Sequence, residues 1–160
     1  MTIAETSVMG QESKTEVAEL LQNSLADMID LALQCKQAHW NVVGPRFRSL
    51  HLQLDEITEA ARGWADDVAE RIVALDATAD GRLTTVTTRS GLEQMPSGYL
   101  QDDTVVKLLI DRLEAVAGRM RVRVMEVEKA DPVTQDMLIE ITFGLEKFRW
   151  MVKAQATSGR

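Results

Sequence analysis

His39, His51, Asp55, Asp66 and Glu70 are side chains of the types that bind a divalent metal ion. His51 and Asp55 are one helical turn apart, and so are Asp66 and Glu70. At about 100° per residue these four positions share one face of one helix, within an arc of about 100°. At about 1.5 Å rise per residue, however, Asp55 and Asp66 lie about 16 Å apart. Metal ligands must lie within a little over ~2 Å of the ion. The two pairs therefore cannot meet within one chain. They can meet across a two-fold axis, where an antiparallel partner helix presents Asp66 and Glu70 to His51 and Asp55. A self-complementary interface of this kind makes two such sites per dimer.

His39 belongs to the same pattern. Gly44-Pro45 stops one helix five residues after His39, and His51 follows six residues after Pro45. An antiparallel hairpin sets the two imidazoles side by side near its tip. These are the chain's only histidines. Imidazole and carboxylate without thiolate suit Fe(II), with Zn(II) as competitor. Glu-x-x-His occurs nowhere, which excludes the usual inward-facing di-iron carboxylate site of a four-helix bundle.

The elements that must hold these groups are helical. Val17, Leu20, Leu21, Leu25, Met28, Ile29 and Ala32 follow helical spacing, and Ser13 with Glu16 fits a capping box, so a first helix is expected over 13–43. A second is expected over 46–75, striped by Leu50, Leu54, Ile57, Ala61, Trp64, Val68, Ile72 and Leu75. Residues 77–99 exceed ordinary loop length and call for a short helix, placed at Gly91–Met95. A third helix is expected from Asp103 to Lys129. A fourth is expected to end near Val152, with Asp131 as its cap and Pro132 at its first position. The fold class that follows is all-α: a ferritin-like four-helix bundle with a long crossover between the second and third helices. The domain reading is a flexible tail over 1–12, a bundle over 13–153 and a short tail over 154–160. Glycines inside helices, at Gly63, Gly118 and Gly144, suggest close helix packing.

Composition agrees. Of 160 residues 45% are hydrophobic and 27% charged, as in one globular domain. Aromatics at 4% and three prolines argue against an all-β fold. Lone Cys35 allows no internal disulfide, pointing to a reducing, cytoplasmic compartment, and reads as a small buried apolar residue. No apolar run reaches the ~20 residues that span a bilayer.

The run Lys36-Gln37-Ala38-His39-Trp40-Asn41-Val42-Val43-Gly44-Pro45-Arg46-Phe47, then Leu50-His51 and Leu54-Asp55, then Asp66 and Ala69-Glu70-Arg71, resembles the Dps family of bacterial mini-ferritins. Leu145-Glu146-Lys147-Phe148 and Trp150 are similar to that family's last helix. The resemblance covers residues 15 to 153. It implies a hollow homododecamer, with iron as metal and ferroxidase sites at two-fold interfaces. His39, His51 and Asp55 would come from one subunit, and Asp66 and Glu70 from its partner. Glu70 would anchor one iron firmly, and the histidines a second more loosely. Hydrogen peroxide would take two electrons from an iron pair without releasing hydroxyl radical. The resemblance also implies a three-fold pore lined by acids, for which Asp131, Asp136 and Glu140 are candidates. Glu56 and Glu59 adjoin the metal face and are candidates for mineral nucleation, against ordinary solvated charge, and Trp40 or Trp64 are candidates for quenching stray oxidant, against dimer-interface packing as the plainer role.

DNA binding and nucleoid compaction form the alternative reading. The family's DNA contacts run through basic tails, yet no Lys or Arg precedes Ser13, and the last eight residues hold only Lys153 and Arg160. The formal charge is −7, so twelve chains would carry about −84, which repels DNA at long range. Twelve tails acting together could offset part of this.

Overall fold

The computed structural model describes residues 9–156. Its elements are α1 (Gln11–Asn41), β1 (Val42–Val43), α2 (Phe47–Ala74), α3 (Leu83–Arg89), β2 (Leu100–Gln101), α4 (Asp102–Val127) and α5 (Pro132–Lys153). The helices α1, α2, α4 and α5 bury the stripes the periodicity marks. These include Leu21, Leu25, Met28 and Leu31 on α1, and Leu50, Leu54, Ile57 and Ile72 on α2. From the other pair come Leu109, Leu113 and Met120 on α4, with Leu138, Ile141 and Leu145 on α5. Cys35 is fully buried in this core, and burial pushes its thiol pKa up to about 12, so it is inert packing.

Topology follows from one small ladder. β1 sits at the tip of the α1–α2 hairpin and pairs in parallel with β2, Val42 with Leu100 and Val43 with Gln101. β2 runs directly into α4, so α4 starts at the same end as α2, and the crossover spans the length of the bundle. This is the ferritin-like arrangement expected from the sequence. The two-residue strands themselves carry no sequence signal, being shorter than any periodicity.

Three local expectations are corrected. The first helix begins at Gln11, capped by Gly10 without a side-chain bond, and Ser13 lies inside it. The Lys14 Nζ–Asp76 ion pair (2.6 Å) and the burial of Val17 and Ala18 tie that first turn to the end of α2, which outweighs the capping-box pattern. Residues 1–8 of the expected tail, and 157–160 of the other, lie outside the described residues. The crossover helix is at 83–89 and not at Gly91–Met95. Asp80 accepts from Arg82 N (3.0 Å) and Thr85 Oγ1 (2.8 Å), starting the helix there. Arg112 meanwhile donates to the carbonyls of Glu93 (3.0 Å) and Gln94 (3.1 Å), holding that stretch in an irregular path against α4. Finally, a Cβ added at Gly63 or Gly118 would meet no neighbouring atom within 4 Å, whereas one at Gly144 would collide with the Trp64 ring. Close packing within the chain therefore holds at Gly144 alone of the three.

The hairpin tip is fixed by Arg46. Its backbone N (2.8 Å) and Nε (3.1 Å) donate to Asp102 Oδ2, its Nη1 donates to the Gln155 carbonyl (2.5 Å), and its Nη2 pairs with Asp103. Gln155 is thus held against the hairpin tip. Gly44 makes this possible with φ of +127°, and a Cβ there would lie 2.7 Å from Asp102 Cγ. Gly44→Ala is expected to lose roughly 2 kcal/mol, from backbone strain plus displacement of Asp102. Urea unfolding at fixed protomer concentration measures it, and an unchanged midpoint would refute this account of the tip.

Candidate metal centre

His39 lies in the last turn of α1, and His51 lies one turn into α2. The hairpin stacks their rings, with centroids 3.7 Å apart and planes 20° from parallel. Each ring faces the other residue's backbone: His39 Nδ1 lies 2.8 Å from the His51 carbonyl oxygen, and His51 Nδ1 lies 3.0 Å from that of His39. A carbonyl oxygen can only accept, so both Nδ1 atoms carry the hydrogen. That tautomer leaves each Nε2 lone pair for a ligand, the arrangement usual in metal-binding imidazoles. Phe47 lies against the outer side of His51, centroids 4.9 Å apart.

Asp55, one turn beyond His51, brings Oδ1 to 3.3 Å from His39 Nδ1 and to 2.5 Å from Lys36 Nζ. The Lys36 hydrogen bond holds the Asp55 carboxyl below its ordinary value, against a smaller upward push from desolvation. Asp55 therefore remains an anionic donor even in mildly acidic solution. The Lys36 ammonium also lies 5.8 Å from the Trp40 ring centroid. Sequence reasoning quoted Lys36 within a motif but gave it no role. The available signal was its position one turn before His39, on the same face of α1.

Thus one chain brings together His39, His51 and Asp55. Asp66 and Glu70 are exposed further along the unbroken α2, with no ion pair or side-chain hydrogen bond among the described residues. Within this single chain, no group of three or more His, Cys, Asp or Glu residues among those described is placed to hold a metal ion.

The other candidates fall in two sets. Asp131 is the α5 cap and buried: Oδ1 accepts from Val133 N (3.3 Å), and Oδ2 takes Arg71 Nη2 (2.6 Å) and the Thr134 hydroxyl. Burial raises its carboxyl pKa, but the Arg71 and Thr134 bonds outweigh that and leave it below the ordinary value. Its oxygens are spent within the chain. Asp136 and Glu140 are exposed on α5, and Glu56 and Glu59 on α2. Trp40 is 66% exposed beside His39, whereas Trp64 is half-buried on Gly144, edge-on to Phe148 at 6.2 Å.

A bundle with this crossover is the architecture of a ferritin-like domain, and that family matches residues 18–160. The DNA protection during starvation protein 2 of Deinococcus radiodurans is 39% identical over 91% of this chain, which spans 60% of that relative's length. The DNA protection during starvation protein of Agrobacterium fabrum is 36% identical over 89% of this chain and 88% of its own. A solved structure of Mycobacterium smegmatis Dps superposes with a TM-score of 0.91 at 32% identity, covering 97% of this chain and 96% of that one. The chain belongs to the Dps family. No helix among the described residues is long and apolar enough to cross a membrane.

Proposed function

We propose that this protein is a cytoplasmic iron store and ferroxidase that works as a homododecamer. It oxidises Fe(II), preferably with hydrogen peroxide, at sites shared by two subunits. The observation that carries this reading is the His39–His51 stack, whose Nε2 lone pairs are unspent beside Asp55, on the helix that displays Asp66 and Glu70 one face-length away. Neither half is a site alone, and an antiparallel two-fold joins them.

Iron is the substrate. The partner's Glu70 and the partner's Asp66 supply anionic oxygen to one Fe(II), and His39, His51 and Asp55 receive the other. Each Fe(II) gives one electron, and peroxide takes both. Its O–O bond breaks, and with two protons it leaves as two waters, so no hydroxyl radical is released. Fe(III) then passes inward to mineralise, with Glu56 as a nucleating acid. Asp136 and Glu140 line the route by which cations are drawn in. Asp131 contributes to that route by fixing the start of α5. Trp40, exposed next to the stack, is placed to give an electron to stray oxidant. The relatives' names speak of DNA protection. Here that protection comes from removing Fe(II) and peroxide together, with DNA binding the secondary reading.

The test is Fe(II) oxidation by the double variant His51→Ala with Asp55→Ala. Oxidation is expected to collapse while particle mass stays that of the parent, and parental rates would reject the ferroxidase reading.

Lys36 has a consequence for binding. Its ammonium occupies Asp55 Oδ1 and so competes with a metal for that carboxylate's charge. Lys36→Met is expected to raise affinity for redox-silent Zn(II) about tenfold, since a competing charge is removed. A calorimetric titration showing equal or weaker binding would contradict this.

A further inference from the structure

On α2, the residues His51, Asp55, Glu59, Arg62, Asp66 and Glu70 are separated by four, four, three, four and four positions. The spacing reads the same from either end. At about 100° per residue all six fall within one arc of about 100°, and α2 is unbroken from Phe47 to Ala74. A two-fold axis that sets the partner's Glu70 opposite His51 therefore also sets the partner's Asp66 opposite Asp55. The same operation sets the partner's Arg62 opposite Glu59, and the partner's Glu59 opposite Arg62.

Both residues are exposed. Neither has an ion pair or side-chain hydrogen bond among the described residues, although three-residue spacing on a helix would allow one between them. Resting on the shared-site reading above, we infer that Glu59 and Arg62 form two reciprocal ion pairs across the axis and are the positioning residues that set the register of the metal site.

One alternative register is disfavoured by charge and the other by the loss of a ligand. Sliding the partner one turn one way sets Asp55 against the partner's Glu70 and Glu59 against the partner's Asp66, acid against acid, and leaves Arg62 with no charged residue opposite it. Sliding it the other way sets the partner's Arg62 on Asp55, occupying a ligand, and leaves Glu70 against the partner's Phe47. Like charges across an interface select against wrong registers more strongly than opposite charges reward the right one.

The test is a charge swap in the full chain, followed by sedimentation and by Zn(II) titration calorimetry. Glu59→Arg alone and Arg62→Glu alone each juxtapose like charges twice per dimer. Each is expected to weaken Zn(II) affinity about tenfold and to shift mass toward smaller species. The double swap restores the pairs with sides exchanged and is expected to return both readouts to within about twofold of the parent. A pair within one helix would be rescued in the same way, so the two single variants are also co-assembled: their mixed dimers restore both pairs across the axis while each chain keeps like charges within itself, and only pairing across the axis predicts recovery there. The milder pair Glu59→Gln and Arg62→Gln supplies a second cycle, in which the second loss adds little to the first. Singles indistinguishable from the parent, or a double swap no better than its singles, would overturn the register while leaving shared ligation standing. Shared ligation fails separately, through subunit complementation.

Discussion

Two inactive variants are expected to regain Fe(II) oxidation when they assemble together. His51→Ala/Asp55→Ala removes one half of each site, and Asp66→Ala/Glu70→Ala removes the other. Each alone is expected to lose roughly a hundredfold or more in initial rate, since even groups behind metal ligands are commonly worth ten- to a hundredfold. In a mixed dimer one site receives both lesions and the other neither. Random pairing makes about half the dimers mixed, so about a quarter of all sites are intact. Co-expression with distinguishable tags gives such mixtures, and native mass spectrometry counts the mixed pairs. Recovery should track that count. Mixed particles that form yet oxidise no faster than the separate variants would mean that each chain builds its site alone.

Much of this was legible in the sequence because the signals are periodic. Four amphipathic stretches, a Gly-Pro stop at residues 44 and 45, and the Asp131-Pro132 start give four helices and their order. The metal pattern was legible for the same reason: residues one turn apart on a helix must share a face. What failed was set by long-range contacts that no local pattern records. The first turn of α1 depends on Asp76, more than sixty residues away. The crossover helix lies where Asp80 accepts from Arg82 and Thr85 at its start, and the later stretch is held by Arg112. Asp131 was legible as a helix cap and is one, but its bond to Arg71, on another helix, left no local signal. Lys36 was hidden by its ordinariness, since a lysine on a helix is usually solvated, and only the hairpin brings it to Asp55.

Asp27→Ala should be the most destabilising single change outside the metal centre, by about 3 kcal/mol. Asp27 lies on α1 with no exposed surface, where periodicity would place an apolar residue. Its carboxylate is gripped from α4: Arg119 gives a two-point contact (2.9 and 3.1 Å), and Arg123 Nη1 approaches to 2.7 Å. Removing the carboxylate leaves two guanidiniums facing each other with no anion between them. Arg119 keeps 31% of its side chain exposed, which relieves part of that repulsion and sets the figure at the low end for a broken buried pair. Urea unfolding at constant protomer concentration reads the loss, because assembly itself adds stability. The informative companion is the triple variant Asp27→Leu, Arg119→Met, Arg123→Met. If the network mainly stabilises, the triple should stay as weak as the single. If it mainly fixes how α1 sits against α4, stability should return while the unfolding transition broadens, since an apolar replacement no longer specifies one seating. We expect the second outcome, because well-packed apolar replacements commonly match a buried ion network in stability. A triple variant as unstable as Asp27→Ala would contradict it.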